Sequence, residues 1–309
     1  MINKNNILKA KHRSLLVSEW CCAVRFNKNE KNCLLEDSDG SFTVLKNSIR
    51  YWTADPFIFK YKDEYYLFFE AFDRLKRKGV IGYRKISEKG AGRIKICYES
   101  AGHLSYPFIF EKNNHFYIVP ESSEEKELFL LESVNFPDKW KKTCVLAKGE
   151  MVDTVFFEDK NNTYCLTEKI IEKFVFDRLD LFYFENDSLV ECENNPVKTD
   201  ANYARGAGKL FYHKGKRIRP SQNCGKNYGE KLNFNEVLSV SKLEYKEKCV
   251  KTISASDIKT NKSTVFSGIH TYNKLDHIEV IDLKMQNQFH LLNLLGAVIK
   301  RIKASGREK

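Results

Sequence analysis

Three segments of this 309-residue chain set a carboxylate at one fixed distance from a polar residue that opens an apolar run. Asp55-Pro-Phe-Ile-Phe leads to Glu70, Tyr106-Pro-Phe-Ile-Phe to Glu121, and Asp153-Thr-Val-Phe-Phe to Glu168. The separation is 15 residues each time, since 70 − 55, 121 − 106 and 168 − 153 are equal. Carboxylates that converge repel one another, so their recurrence at one repeat position calls for a chemical reason. The chemistry that suits them is glycosyl transfer or hydrolysis. Its transition state is oxocarbenium-like and positive; one carboxylate stabilises or attacks it, and another protonates the leaving group or activates the acceptor. Asp55 is the leading base or nucleophile, with Trp52 beside it and Pro56 restraining the backbone after it. Glu121, Asp153 and Glu70 are the other catalytic candidates.

Two degenerate copies follow, Ala207 to Gln222 and Gly268 to Asp282. Their corresponding positions carry Arg205, Arg219, Gln222, Asn223, Tyr228 and His270, with Lys209 and Arg217 nearby. Arginine grips phosphate or carboxylate through paired donors, and Gly206 and Gly208 permit close backbone approach. One reading splits the site into an acidic and a basic half, the latter for a phosphate-bearing leaving group. The competing reading pairs the arginines with the facing acids. Trp52, His103, Tyr106, Arg205, Arg219, Gln222, Tyr228 and His270 make up the expected binding set. Gly206-Ala-Gly-Lys209 is too short for a phosphate-binding P-loop. No H-E-x-x-H or C-x-x-C spacing occurs, so neither a metal nor an organic cofactor is expected.

Each copy reads as a β-hairpin, with Lys, Asp and Asn turn residues between two strand-like runs. The runs are apolar on both faces, as inner strands between neighbouring sheets require. More polar pairs follow them, such as 79–84 with 94–99 and 128–132 with 142–146, and read as outer strands. Starts near 55, 106, 153, 207 and 269 give spacings of 51, 47, 54 and 62 residues. Four strands per repeat at such a period is the propeller signature. The expected class is therefore all-β, a five-bladed β-propeller, with an irregular β-sandwich as the alternative. The run 20–26 is the expected outer strand that closes the last blade. The expected organisation is an N-terminal extension over 1–18, the propeller over 19–284, and a basic amphipathic helix and tail over 285–309.

Aromatic residues reach 13%, with 22 Phe and 15 Tyr, which favours strands and supplies a core. The net charge of +11 points to an anionic partner or a lysine-rich surface. The lysines are dispersed and form no basic stripe, so no nucleic acid is expected. Cys97, Cys144 and Cys165 lie in apolar runs and read as small core residues. With nine cysteines and no apolar leader, a reducing cytoplasm is the expected compartment. Over 286–303, Leu291, Leu295, Val298 and Ile302 recur at helical spacing beside Lys300, Arg301 and Lys303. Such a helix lies on an acidic membrane at its inner face, packs on a partner chain, or packs on its own propeller.

The strings Glu19-Trp20, Trp52-Thr-Ala-Asp-Pro-Phe, Leu67-Phe-Phe-Glu, His103-Leu-Ser-Tyr-Pro-Phe, Val119-Pro-Glu, Asp153-Thr, Arg219-Pro-Ser-Gln-Asn-Cys, Tyr228-Gly and Gly268-Ile-His-Thr resemble the N-terminal domain of the glucosamine inositolphosphorylceramide transferases. The resemblance covers roughly Glu19 to Asp282. It implies a fold similar to the five-bladed propellers of arabinanases, xylosidases and invertases, whose acids come from successive blades, here Asp55 and then Glu70, Glu121 or Asp153. Three departures stand out: Arg205-Gly where the family tends to have Arg-Pro, Asn223 where an acid is common, and Cys21-Cys22 in the first strand.

The function expected from these features is a glycosyltransferase on a hydrolase-like propeller, acting in bacterial surface-glycan assembly. Its donor would be phosphoribosyl pyrophosphate or a nucleotide sugar, furanosyl by analogy with the fold, and its acceptor a glycan or lipid-linked sugar. A cytoplasmic glycoside hydrolase with the same carboxylates and a non-catalytic carbohydrate-binding module are the alternatives.

Overall fold

In a computed structural model that describes residues 17–28, 32–36, 40–171, 177–186 and 188–305, the chain forms five antiparallel sheets arranged as propeller blades. The extension before residue 17 and the tail residues Arg307 and Lys309 lie outside the described residues. The chain opens with β1 (Val17–Phe26) and β2 (Thr43–Val44), which belong to the last blade.

Blade 1 comprises β3 (Tyr51–Tyr61), β4 (Glu64–Asp73) and β5 (Lys78–Ser87), with β6 (Gly90–Ala91) and β7 (Lys95–Tyr98) both against β5. Blade 2 comprises β8 (Ser105–Lys112), β9 (His115–Glu121), β10 (Glu127–Asn135) and β11 (Lys139–Lys148). Blade 3 comprises β12 (Glu150–Asp159), β13 (Asn162–Ile170) and β14 (Arg178–Glu185), with β15 (Ser188–Glu191) and β16 (Lys198–Thr199) against β14. Blade 4 comprises β17 (Phe211–His213), β18 (Lys216–Asn223), β19 (Lys231–Val240) and β20 (Tyr245–Ser254). Blade 5 has β21 (Tyr272–Leu275) and β22 (Ile278–Gln288) inside, and β1 and β2 outside.

The last blade thus takes its outer half from the start of the chain. Cys22 of β1 pairs with Asp282 of β22 in register, across most of the sequence. This pairing of the two ends of the chain closes the ring by hydrogen bonds. The expected closing strand is therefore present, and Cys21 and Cys22 are buried within it without breaking it.

Aromatic side chains wedge the blades apart at the spacing the hairpin repeat imposes. Phe57 meets Tyr106 edge-on at 4.8 Å, Phe108 meets Phe156 at 5.7 Å, and Tyr272 meets Phe234 at 4.9 Å. Phe57, Tyr106, Phe108, Phe234 and Tyr272 are almost wholly buried, so truncating one to alanine costs about 3–5 kcal/mol. The cysteine expectation holds for Cys165 but not for Cys144, which is exposed. It sits on the outermost strand of its blade, where few neighbours remain to cover it.

After β22 the chain turns into a helix, α1 (Leu291–Ser305), which rests on the propeller near the β4–β5 turn.

Candidate active site

The inner strand of each of the first three blades carries the same irregularity. Ala54 pairs with Glu70 and Phe57 with Phe68, so Asp55 and Pro56 face the single residue Phe69. The pairing slips identically between Ser105–Glu121 and Phe108–Val119, and between Val152–Glu168 and Val155–Leu166. These are β-bulges, which re-aim a side chain and sharpen the local twist. Asp55, Tyr106 and Asp153 are left-handed there, with φ of 49°, 44° and 51°. That conformation costs about 1–2 kcal/mol for a residue with a Cβ and persists where the surroundings over-determine it. The constant spacing in the sequence is the trace of this bulge.

The bulges stitch the blades together around the axis. Asp282 accepts the backbone N–H of Asp55 at 3.0 Å. Asp55 Oδ2 accepts the N–H of Tyr106 at 3.3 Å, and its Oδ1 accepts the Thr271 hydroxyl at 3.0 Å. Glu121 accepts the N–H of Asp153 at 3.4 Å. Gln222 Nε2 donates to Asp153 Oδ2 at 3.1 Å and to the Gly206 carbonyl at 2.8 Å. All five blades thus meet at one constellation, and Asp55, Glu70, Asp153, Glu168 and Asp282 are buried in it.

Burial and mutual repulsion hold protons on this ring. Asp55 is pushed up to about 7 by burial above all, then by the charges of Glu70, Asp282 and Asp153, against the pull of His270. Glu121 is pushed up to about 8 by burial and by Asp153, against the pull of Arg205. Burial also raises Asp153, while Arg205, with Nε 2.5 Å from Asp153 Oδ2, draws it back. Three carboxyls in one site therefore differ in proton affinity, which is how acid and base roles separate.

His270 is the cation nearest Asp55. Its Nδ1 lies 2.6 Å from Asp282 Oδ2 and its Nε2 lies 3.5 Å from Asp55 Oδ1. Burial opposes a charge on this ring, but Asp282 and Asp55 outweigh it and raise its pKa. Trp20 stacks on the same ring at 3.9 Å, and Tyr228 meets it edge-on at 5.2 Å. Tyr228 also lies under the Arg205 guanidinium at 5.2 Å. Gly229, left-handed at φ +65°, lets this loop press against Trp20 and His270.

His103 behaves differently. Burial disfavours a charge on it, and Glu70 outweighs burial and raises its pKa. Yet the Gly79 N–H donates to Nδ1 at 3.0 Å, which leaves that nitrogen no room for a proton. His103 therefore serves as a neutral donor through Nε2, 3.2 Å from Glu70. Trp52 stacks on Phe72 at 4.6 Å, and Phe72 lies 6.2 Å from His103, forming an aromatic wall beside Glu70.

The channel is closed beneath the acids. The Tyr106 ring from blade 2 crosses the axis, and a Cβ on Gly206 of blade 4 would lie 3.4 Å from its hydroxyl. Lys209 crosses in the opposite sense, donating to the Ile109 carbonyl and lying 5.0 Å over the Phe108 ring. Burial pulls its pKa down to about 8. Gly208, at φ +140°, makes the crossing fit, because a Cβ there would collide with the Tyr272 carbonyl. Tyr106 and Lys209 thus tie blade 2 to blade 4 across the propeller.

The expected free basic half is not what the residues form. Arg219 turns away from the mouth: it binds Glu247 at 2.7 Å and the carbonyls of Ala204 and Tyr203 at 3.1 and 2.6 Å. Its guanidinium is spent on holding the segment that carries Arg205. Arg205 does face the acids, but paired with Asp153 and 3.8 Å from Glu168. Lys209 donates to the Ile109 carbonyl, and Arg217 pairs with Asp159 at 2.9 Å, at the edge of the β12–β13 turn. Bases and acids therefore interleave, as ion pairing demands when charges share a buried site.

Asp55, His270 and Asp282 also form the one group among the described residues with three metal-type donor atoms within 4.8 Å of one another. Asp282 is already saturated. Its Oδ1 takes the N–H groups of His270 and Thr271 at 3.0 Å, and its Oδ2 takes the Asp55 N–H and faces His270 Nδ1. A cation would have to displace these donors, so the trio fits an orienting relay better than a metal site. Trp20, Thr271, Glu168 and Asp282 belong to the constellation without having been singled out as site residues. The Glu19-Trp20 and Gly268-Ile-His-Thr strings and the fixed hairpin-end position were the signals.

Among solved structures, the catalytic domain of the Coprinopsis cinerea GH62 α-L-arabinofuranosidase aligns with a TM-score of 0.54 at 10% identity, over 84% of this chain and 97% of that one. The α-L-arabinofuranosidase of Lactobacillus brevis aligns with a TM-score of 0.52 at 14% identity, over 74% and 81%. At such identities the likeness shows the five-bladed fold alone. In sequence, the glucosamine inositolphosphorylceramide transferase 1 of Arabidopsis thaliana is 33% identical over 203 residues, 63% of this chain and 26% of that protein. The Oryza sativa subsp. japonica protein of the same name is 30% identical over 204 residues, 63% and 27%. The chain thus spans about a quarter of the length of these relatives. The family described as glucosamine inositolphosphorylceramide transferase 1, N-terminal, matches residues 43–290, and this chain belongs to it.

Proposed function

We propose that the funnel transfers a glycosyl group from a donor with a phosphate-bearing leaving group to a glycan or lipid-linked acceptor. The observation that carries this reading is the convergence of Asp55, Glu121 and Asp153 from three successive blades on one buried constellation, where burial and neighbouring carboxylates push Asp55 up to about 7 and Glu121 up to about 8. Asp55 takes the proton of the acceptor hydroxyl as its oxygen bonds to the anomeric carbon. The bond from that carbon to the phosphate oxygen breaks, and Glu121 gives its proton to the departing oxygen. Thr271 and the Tyr106 N–H hold the Asp55 carboxylate in place. His270, whose proton affinity Asp282 raises, keeps Asp55 more acidic than burial alone would. Arg205 supplies fixed positive charge opposite the leaving group. Membership in a family named for a transferase supports transfer as the reaction class.

A second reading, hydrolysis of a neutral furanoside, draws support from the pairing of Arg205 with Asp153, which leaves less positive charge for a phosphate. Incubation of the chain with phosphoribosyl pyrophosphate, with nucleotide sugars and with aryl furanosides separates the two. Release of pyrophosphate or nucleotide that depends on a sugar acceptor and is lost in Asp55→Asn supports transfer. Release of aryl alcohol from phosphate-free furanosides, with no turnover of phosphorylated donors, establishes hydrolysis instead.

A further inference from the structure

Helix α1 is seated on the propeller by its polar side. Asn293 Nδ2 donates to Glu19 Oε1 at 3.0 Å, and His290 Nε2 lies 3.4 Å from Glu19 Oε2. Glu19 is itself fixed by a two-pronged bridge to the buried Arg74, at 2.7 and 2.6 Å. Gly296 lies flat on the β4–β5 turn, where a Cβ would collide with the carbonyls of Arg74 and Leu75. No bulkier residue fits there, so the helix cannot roll to present a leucine to the propeller.

The apolar side consequently faces outward. Leu291, Leu295, Val298 and Ile302 are 64%, 46%, 53% and 66% exposed. A helix that covers its own domain does the reverse, turning its apolar stripe inward. In sequence the stripe is interspersed with Lys300, Arg301 and Lys303, and the last ten residues of the chain hold five basic residues against one acidic, Glu308. An outward apolar face bordered by cations is the arrangement that lies in the interface of an anionic bilayer, with apolar side chains among the acyl chains and cations at the headgroups. Among the described residues no helix is long and apolar enough to cross a membrane, so the contact is peripheral.

Position adds a consequence. The β4–β5 turn follows Glu70, and Glu19 precedes Trp20, which stacks on His270. The helix therefore stands at the same end of the propeller as Glu70 and Trp20. We propose that α1 is a docking helix for anionic membranes that sets the Glu70 and Trp20 end of the propeller against the lipid surface. The proposal is independent of which reaction the funnel performs.

The test is sedimentation of the full 309-residue chain with extruded vesicles of phosphatidylcholine, alone or mixed with phosphatidylglycerol. The expected result is binding to the mixed vesicles only, weakened at about 0.5 M salt, where exposed charges are screened. The triple variant Leu295→Asp/Val298→Asp/Ile302→Asp should lose about tenfold or more of this binding, because three inserted apolar groups become charged, while its melting temperature stays put. If that variant misfolds, Leu295→Gln/Val298→Gln serves, with a smaller loss in the same direction. Failure of the wild-type chain to sediment with mixed vesicles overturns the proposal. So does undiminished binding by a folded variant, which assigns the contact to general surface charge. Self-association in sedimentation velocity that the variant abolishes, without vesicle binding, assigns the face to a second copy and overturns it as well.

Discussion

Asp282 fixes His270 twice: its Oδ1 accepts the His270 backbone N–H at 3.0 Å, and its Oδ2 lies 2.6 Å from the ring Nδ1. The second contact raises the ring's proton affinity and turns Nε2 toward Asp55. Removing that ring removes the main force opposing protonation of Asp55. In His270→Gln the acid limb of the pH–rate profile should therefore move to higher pH. A move of about one pH unit lowers turnover about fivefold at pH 7 and about tenfold well below it, and full profiles of both proteins check it. An unshifted limb would show that Asp55 does not govern it.

The wild-type profile itself should be bell-shaped. Asp55 must be ionised to accept a proton and Glu121 protonated to give one, so activity rises through about 7 and falls through about 8. The limbs report the ring as a coupled set. In Glu121→Gln the alkaline limb should disappear, with turnover reduced about 100-fold or more for a poor leaving group.

Stability should respond to Asp55 with the opposite sign to activity. Its folded pKa lies above the unfolded value of about 4, so the folded state binds the extra proton. Stability is then fullest below pH ~4 and declines as pH rises to about 7. Asp55→Asn abolishes that decline. It should melt higher than the wild type at pH 8, by about 2 °C or more, and match it near pH 4, while turnover falls about 100-fold or more. Calorimetry at the two pH values, with the donor assay at pH 8, checks both halves.

Arg219→Ala should act on folding rather than on phosphate recognition. Glu247, held down at about 2 by the Arg219 and Lys198 cations against burial, would lose its principal partner. Two carbonyls would lose their donors as well. The expected cost is about 3 kcal/mol, read from urea unfolding. Equal loss of donor affinity with unchanged stability would restore Arg219 to the binding set.

Much of this architecture was legible in the sequence because hairpins are local. The 15-residue separation in Asp55–Glu70, Tyr106–Glu121 and Asp153–Glu168 follows from a strand, a turn and a returning strand. The same pattern marked the bulge positions as special without showing their left-handed backbone. The helix at 291–305 was visible in its periodicity, as were its cations.

Tertiary structure decided which of these residues meet and what their charges are worth. Asp55 and Asp282 touch across 227 residues because the ring closes. Arg205 and Arg219 look alike in sequence; one faces the acids, and the other is consumed by Glu247 and two carbonyls. The outward roll of α1 depends on Asn293 and Gly296 finding Glu19 and the β4–β5 turn. Local periodicity sets a side chain's direction relative to its own strand or helix. Burial, ion pairing and proton affinity are set by neighbours that only chain closure supplies.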